Sequence, residues 1–165
     1  MEPDMLVKLY ENLPDAREWR DRVEKLWVVI RRPIGPEKDR VAAWVAKHFR
    51  ESWASEAACA FANWPRSAFL AVRPGKDERT GELIGFACYD ATALGFFGPT
   101  GVLEEERCQG VGTALLLTTL EAMRDNGYGY AIIGGACKID FYKHACNATI
   151  IPDSDPGLYR HHLRG

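Results

Sequence analysis

Arg107-Cys108-Gln109-Gly110-Val111-Gly112-Thr113-Ala114 is the stretch on which the reading of this sequence turns. After it, Gly112 to Asn126 carries Leu116, Leu120 and Met123 at helical spacing, with Gly127 placed to stop the helix. Before it, Ala91 to Leu103 is apolar but broken by Gly95, Gly98, Pro99 and Gly101, the pattern of an irregular strand with a bulge or a close backbone approach. A glycine-containing turn that enters a helix exposes unpaired N–H groups, and the helix dipole adds about half a positive charge there, so a phosphate group is a natural ligand. Gly110 and Gly112 remove the side chains that would hold an anion away from the backbone. Two commoner phosphate loops are excluded by spacing. G-x-x-x-x-G-K-[ST] does not occur, and the dinucleotide pattern needs glycine at 115, where Leu115 stands.

Outward from this segment, strands and helices alternate. Glu82 to Asp90 and Ala68 to Val72 read as strands, the latter ended by the turn Arg73-Pro74-Gly75. Helical periodicity predicts three earlier helices, over Ala16 to Ile30, Asp39 to Phe49 and Ser52 to Asn63, preceded by an opening strand at Met5 to Tyr10. Downstream, Tyr130 to Gly135 reads as a buried strand, Ile139 to Ala145 as a short helix, and Thr149 to Ile151 and Leu158 to His162 as closing strands. The expected class is α/β or α+β around a mixed sheet, in one domain over 1–165: an opening strand and helical region at 1–66, then a sheet core at 67–165.

Composition narrows the function. The 165 residues carry 21 Lys and Arg against 23 Asp and Glu, so no global field holds a nucleic-acid backbone or an anionic membrane, and any anion site must be local. With 47% hydrophobic residues the chain can build a core without metal or disulfides. Apolar runs such as Val41 to Ala46 and Tyr130 to Cys137 fall far short of the roughly 18 residues that span a bilayer. Met1 to Leu13 lacks a secretory pattern, and the five cysteines are widely spaced without a C-x-x-C pair. A cytoplasmic protein with reduced thiols and no structural metal is expected.

The pattern R-x-x-G-x-G at Arg107 to Gly112, with Val102 five residues before the arginine, resembles the pyrophosphate-binding signature of the GNAT superfamily of acyl-CoA-dependent N-acyltransferases. The resemblance covers Leu83 to Ala148 and implies a mostly antiparallel, twisted mixed sheet with a splayed central strand, flanked by helices. It places the pyrophosphate of coenzyme A on Arg107, Cys108, Gln109, Gly110, Val111, Gly112, Thr113 and Ala114, with the backbone of Gln109 to Ala114 as donor. The pantetheine then runs along Gly101, Val102 and Leu103, and N–H groups in Gly98 to Val102 serve as oxyanion donors. Tyr142, in Phe141-Tyr142-Lys143-His144, matches the position of a general acid. The implied reaction is direct transfer of acetyl from acetyl-CoA to a primary amine of a small molecule or peptide, without nucleic-acid or membrane partners and with paired subunits common among relatives. A non-catalytic acyl-CoA sensor of the same fold and a structural or interaction module are the alternatives.

No general base stands out. Glu104, Glu105 and Glu106 read as a solvated turn, while Asp90 and Asp140 read as turn or cap residues. Three positions depart from the pattern: Glu104 replaces a frequent proline, Gly135 a frequent asparagine, and Asn147-Ala148 a frequent Gly-Phe. Cys108 and Cys137 lie near the implied cofactor path without the His and Asp support that an acyl relay needs, and His144 and Cys146 point apart on a short helix. His161 and His162 carry no expected role. Trp44, Trp53, Phe61, Trp64, Phe96, Phe97 and Tyr128 divide between core and acceptor pocket, with Trp53 and Trp64 the expected roof.

Overall fold

The structure is a computed structural model that describes residues 1–163. In chain order the elements are β1 (Met5–Lys8), α1 (Ala16–Glu24), β2 (Val29–Arg31), α2 (Lys38–His48), α3 (Glu51–Ala62), β3 (Ala68–Pro74), β4 (Gly81–Tyr89), β5 (Phe96–Val102), α4 (Val111–Asp125), β6 (Tyr130–Ile133), α5 (Ile139–Cys146) and β7 (Thr149–Ile150). Single 3₁₀ turns lie at Gly35–Glu37, Glu104–Glu106 and Gly157–Tyr159. The strands make one mixed sheet in the order β2-β3-β4-β5-β6-β1-β7, antiparallel at every pairing except β5 with β6.

Two apolar layers cover the two faces of this sheet. On one, α4 buries Leu115, Leu116, Leu120 and Met123 against Met5, Val7, Ile84 and Val102, and α1 adds Val23. On the other, α2 and α3 bury Val41, Val45, Ala57, Ala60 and Phe61 against Leu70, Phe86 and Cys88. β4 is therefore sandwiched, which is why its sequence is an almost unbroken apolar run instead of an alternating one. A bulge sits within it: Leu83 pairs with Val72 and Gly85 with Ala71, leaving Ile84 as the extra residue. Gly85 has no space for a side chain, since a Cβ would lie 2.9 Å from the Gly101 carbonyl oxygen and 3.2 Å from Leu115.

Two expected elements are corrected. The helix from Ala16 stops at Glu24 instead of reaching Ile30: Trp27 turns left-handed at φ 62°, and the Val28 N–H closes back on the Val23 carbonyl at 3.1 Å. The next residues, Val29–Arg31, have been taken by the sheet through pairing with Leu70–Val72, so the sheet edge overrides helical periodicity and leaves Trp27 77% exposed. The expected closing strand at Leu158 to His162 is instead a 3₁₀ turn at Gly157–Tyr159. β1 lies beside β6, with Met5 opposite Ile133 on one side and opposite Ile150 of β7 on the other. Backbone hydrogen bonding along β6 is thus met by the beginning of the chain, which leaves the end free to turn.

Asp4 ties these ends together. It is buried, its carboxylate accepts from the Gly135 N–H at 2.9 Å, and its own N–H donates to Ser154 Oγ at 2.8 Å. Gly157 passes so close that a Cβ there would stand 3.2 Å from the same carboxylate.

Candidate active site

β5 and β6 are paired at only two positions, Phe96 with Ile132 and Phe97 with Ile133. Beyond these, β5 continues against β4 as far as Val102, while β6 gives way to the turn at Gly134 and Gly135. The edge of β5 over Gly98–Val102 therefore faces a cleft with no strand opposite it among the described residues. Gly98 has φ 119°, a conformation that L side chains rarely adopt, and marks where the strands part. Gly101 is required for a different reason: the Phe49 ring presses on it so closely that a Cβ would lie 2.5 Å from Cζ.

The strand leads directly into the glycine turn. Arg107 Nε donates to the Val102 carbonyl at 3.1 Å, so the arginine staples the turn to the strand end. Cys108 and Gly110 then adopt left-handed conformations, at φ 64° and 92°. α4 begins with no side-chain cap and no acid in its first turn, and its first backbone bond runs from Ala114 to Gly110 at 2.9 Å. The N–H groups of Val111, Gly112 and Thr113 precede that bond and stay available, the standard condition for holding an anion. At Gly112 a Cβ would meet nothing closer than 3.8 Å, so the protein itself does not demand glycine there and the space lies open to a ligand. Trp19 of α1 flanks the turn, 3.2 Å from where a Gly110 Cβ would lie, and Arg22 stacks on Trp19 at 4.4 Å. The sequence reading had not assigned α1 to this site.

Gly101, Val102 and Leu103 at the strand end and Arg107 to Ala114 in the turn thus form one continuous path. Tyr142 lies at its side on α5, whose first turn places Phe141 3.9 Å from the Cβ position of Gly112. The Tyr142 ring packs edge-on against Phe97, with centroids 6.2 Å apart, and the residue is only 7% exposed. Burial pushes its hydroxyl well above the ordinary tyrosine value, so it stays protonated at neutral pH. The departures from the expected pattern have backbone causes. Gly135 sits at φ 54° and gives its N–H to Asp4, and Asn147 ends α5 at φ 56°, a position that asparagine tolerates.

The acids weighed from the sequence are engaged or remote. Glu106 makes a two-pronged pair with Arg73, at 2.7 and 2.9 Å, which holds its carboxyl below the usual range. Asp90 accepts from the Tyr128 hydroxyl at 2.9 Å and from the Gly95 N–H at 2.7 Å, closing the loop before β5. Glu104, Glu105 and Asp140 are exposed. All five cysteines are free. Cys108 and Cys137 are exposed, whereas Cys146 is buried, donates to the Tyr142 carbonyl at 3.2 Å and is pushed up to about 12. His144 Nδ1 meets the backbone oxygen of Asp140 at 2.6 Å, apart from Cys146. Among the described residues no three His, Cys, Asp or Glu side chains converge on a metal position, and no helix is long and apolar enough to cross a membrane.

On the opposite face of the sheet, α3 packs near β5. Trp53 stacks on Phe49 at 5.6 Å and so reaches β5 through Gly101. Trp64 does not join it: it is 79% exposed and packs under the Arg66 guanidinium at 4.3 Å. One turn after Trp53, Glu56 accepts a 2.5 Å hydrogen bond from Thr92. Tyr159 closes this side, its hydroxyl 3.0 Å from the Cβ position of Gly134, with the Phe96 ring equally close. Sequence reasoning had not singled out Glu56, Thr92 or Tyr159, which lie on three separate segments with no shared motif.

The profile of the Acetyltransferase (GNAT) family matches residues 38–147, the larger part of the chain. No curated protein sequence matches it. Among solved structures, a GCN5-related glucosamine N-acetyltransferase region of a fungal multi-domain GH3 beta-N-acetylglucosaminidase superposes with a TM-score of 0.69 at 16% identity, over 90% of this chain and 19% of that one. A GCN5-related N-acetyltransferase from Sphaerobacter thermophilus gives a TM-score of 0.64 at 19% identity, over 90% of this chain and 48% of that one. The chain therefore spans less than half the length of these neighbours, and at such identities the likeness establishes the fold alone. Profile, splayed strand and uncapped glycine turn agree, and the chain belongs to the acetyltransferase (GNAT) family.

Proposed function

We propose that this chain transfers an acetyl group from acetyl-CoA to a primary amine by direct attack, as a cytosolic enzyme acting on a small molecule. The observation that carries the reading is the cleft between β5 and β6 running without a break into the uncapped start of α4. The residues present fit coenzyme A: three free N–H groups for the pyrophosphate, an unpaired strand edge for the pantetheine amides, and a Gly112 whose missing side chain leaves ligand space. When bound, the cofactor supplies an activated acyl thioester.

The chain's own groups do the rest. Backbone N–H groups along Gly98–Val102 orient the thioester carbonyl and donate to its oxygen as charge develops there. A primary amine of ordinary pKa about 10.4 arrives as its ammonium and gives up two protons on becoming an amide; one leaves to solvent before attack and the other ends on the thiol. Tyr142, protonated throughout, donates to the departing sulfur. A phenol raised above its ordinary value is a reluctant acid, so its contribution is a hydrogen bond to the developing thiolate more than complete proton transfer.

Calorimetric titration with acetyl-CoA and desulfo-coenzyme A, beside Gly112→Trp, tests the reading. Micromolar binding that disappears in Gly112→Trp is the expected result and is followed by thiol-release assays over a panel of amines. A folded protein that binds neither ligand overturns the proposal.

A further inference from the structure

Glu56 stands out among the carboxylates near the cleft. It is half-buried on the inner side of α3, its partner is the neutral Thr92 hydroxyl, and no Lys, Arg or His forms a salt bridge with it among the described residues. Of the other acids near the cleft, Asp4 is taken by the Gly135 N–H and Asp90 by Tyr128 and Gly95, while Glu2 is exposed, its carboxylate 3.9 Å from the Cβ position of Gly135. Glu56 also lies at the end of an apolar track. From Gly101 at the splayed strand the Phe49 ring leads to Trp53, and Glu56 follows on the same side of the helix, about 4.5 Å further along its axis. Tyr159 and Phe96 wall the track where it meets Gly134. The Tyr159 hydroxyl is raised above its ordinary value by burial first and then by the Glu56 charge, which agrees with a carboxylate turned inward.

We infer that Glu56 binds a second, non-reacting ammonium group of the acceptor, so that the preferred substrate is an aliphatic diamine or polyamine whose methylene chain lies along Phe49 and Trp53. This rests on the proposed acetyl transfer. A carboxylate in contact with the attacking nitrogen would act as its base. Glu56 acts instead on the far end of the substrate: several methylenes away, it fixes one charged nitrogen and delivers the other, free to deprotonate, to the cleft. The half-buried setting strengthens such a pair relative to one fully in water. A monoamine gains nothing from Glu56, and a neutral hydroxyl in place of the second amine loses the ion pair.

The test is calorimetric, on protein saturated with desulfo-coenzyme A, with butylamine and 1,4-diaminobutane as probes. The expected result is at least tenfold tighter binding of the diamine, a preference that Glu56→Gln removes without changing the affinity for butylamine. Glu82→Gln, at an exposed strand end, keeps it. Should Glu56→Gln not fold, the wild-type preference and its decline with added salt decide the matter. Equal affinities in the wild type, binding of neither amine, or a preference that survives Glu56→Gln would each overturn the inference. Failure of desulfo-coenzyme A to bind is a separate result, one that overturns the acetyl-transfer reading and this inference with it.

Discussion

The two sides of the β5–β6 cleft are built in opposite ways. The turn at Arg107–Ala114 is contiguous in sequence and offers backbone N–H groups, with glycines clearing the approach. The α3 side assembles Trp53, Glu56, Thr92, Phe96 and Tyr159 from four stretches of chain and offers side chains. A site made of backbone depends on few residue identities and can be shared across a family, whereas a site made of converging side chains can change its ligand with a few substitutions.

The largest expected effect breaks one side and spares the other. Gly112→Trp fills the space at the start of α4, and titration should show coenzyme A affinity falling at least a hundredfold, about 2.7 kcal/mol, with the thermal midpoint little changed. Next, Tyr142→Phe should lower kcat by about a hundredfold while leaving cofactor binding intact, as steady-state kinetics beside calorimetry would register. Because burial raises the Tyr142 pKa, folding favours its protonated form. Its contribution to stability is full below the ordinary value of about 10 and is lost as pH rises beyond it, so urea midpoints should fall more steeply above pH 10 in the wild type than in Tyr142→Phe.

Asp4→Ala sharpens the comparison from the other side. It strands the Gly135 N–H next to Gly134, where Tyr159 and Phe96 pack, while the backbone bonds of residue 4 to Ser154 and Ile151 remain, so urea denaturation should show a loss of about 1–3 kcal/mol. The diamine preference should weaken more than coenzyme A binding. The smallest effect belongs to Arg73→Ala, which removes the partner of Glu106 just before the turn and should cost about 1 kcal/mol or less at neutral pH. Since Arg73 holds the Glu106 carboxyl below its ordinary range, this contribution is present above the ordinary carboxylate pKa of about 4.3 and is lost as pH falls through the depressed value. The wild type and Arg73→Ala should therefore converge in stability in acid.

Much of the fold was readable from local pattern. β4, α2, α3, α4 and α5 lie within a residue or two of the expected spans, because each has its own periodicity and stop signals. The failures share one cause. At Val29–Arg31 and at Leu158–His162 the deciding factor is which strand lies alongside: β3 claims the first, whereas the second finds no strand to pair with among the described residues and turns. Likewise Glu106 and Asp90 could be weighed as bases from sequence, but their engagement by Arg73 and Tyr128 involves residues more than thirty positions away.

From the residues in order alone came the mixed architecture and the place of the glycine turn, since these depend on backbone geometry over a few neighbouring residues; the tyrosine beside the turn came from the resemblance to the acetyltransferase family. Folding in three dimensions settled which strand completes β6, why Gly101 must lack a side chain, and that Glu56 meets the Thr92 hydroxyl with no salt-bridge partner among the described residues. Local conformational preference acts over one or two turns of chain, whereas charge neutralisation, ring packing and strand pairing depend on what is nearby in space, and that is set by the whole fold at once.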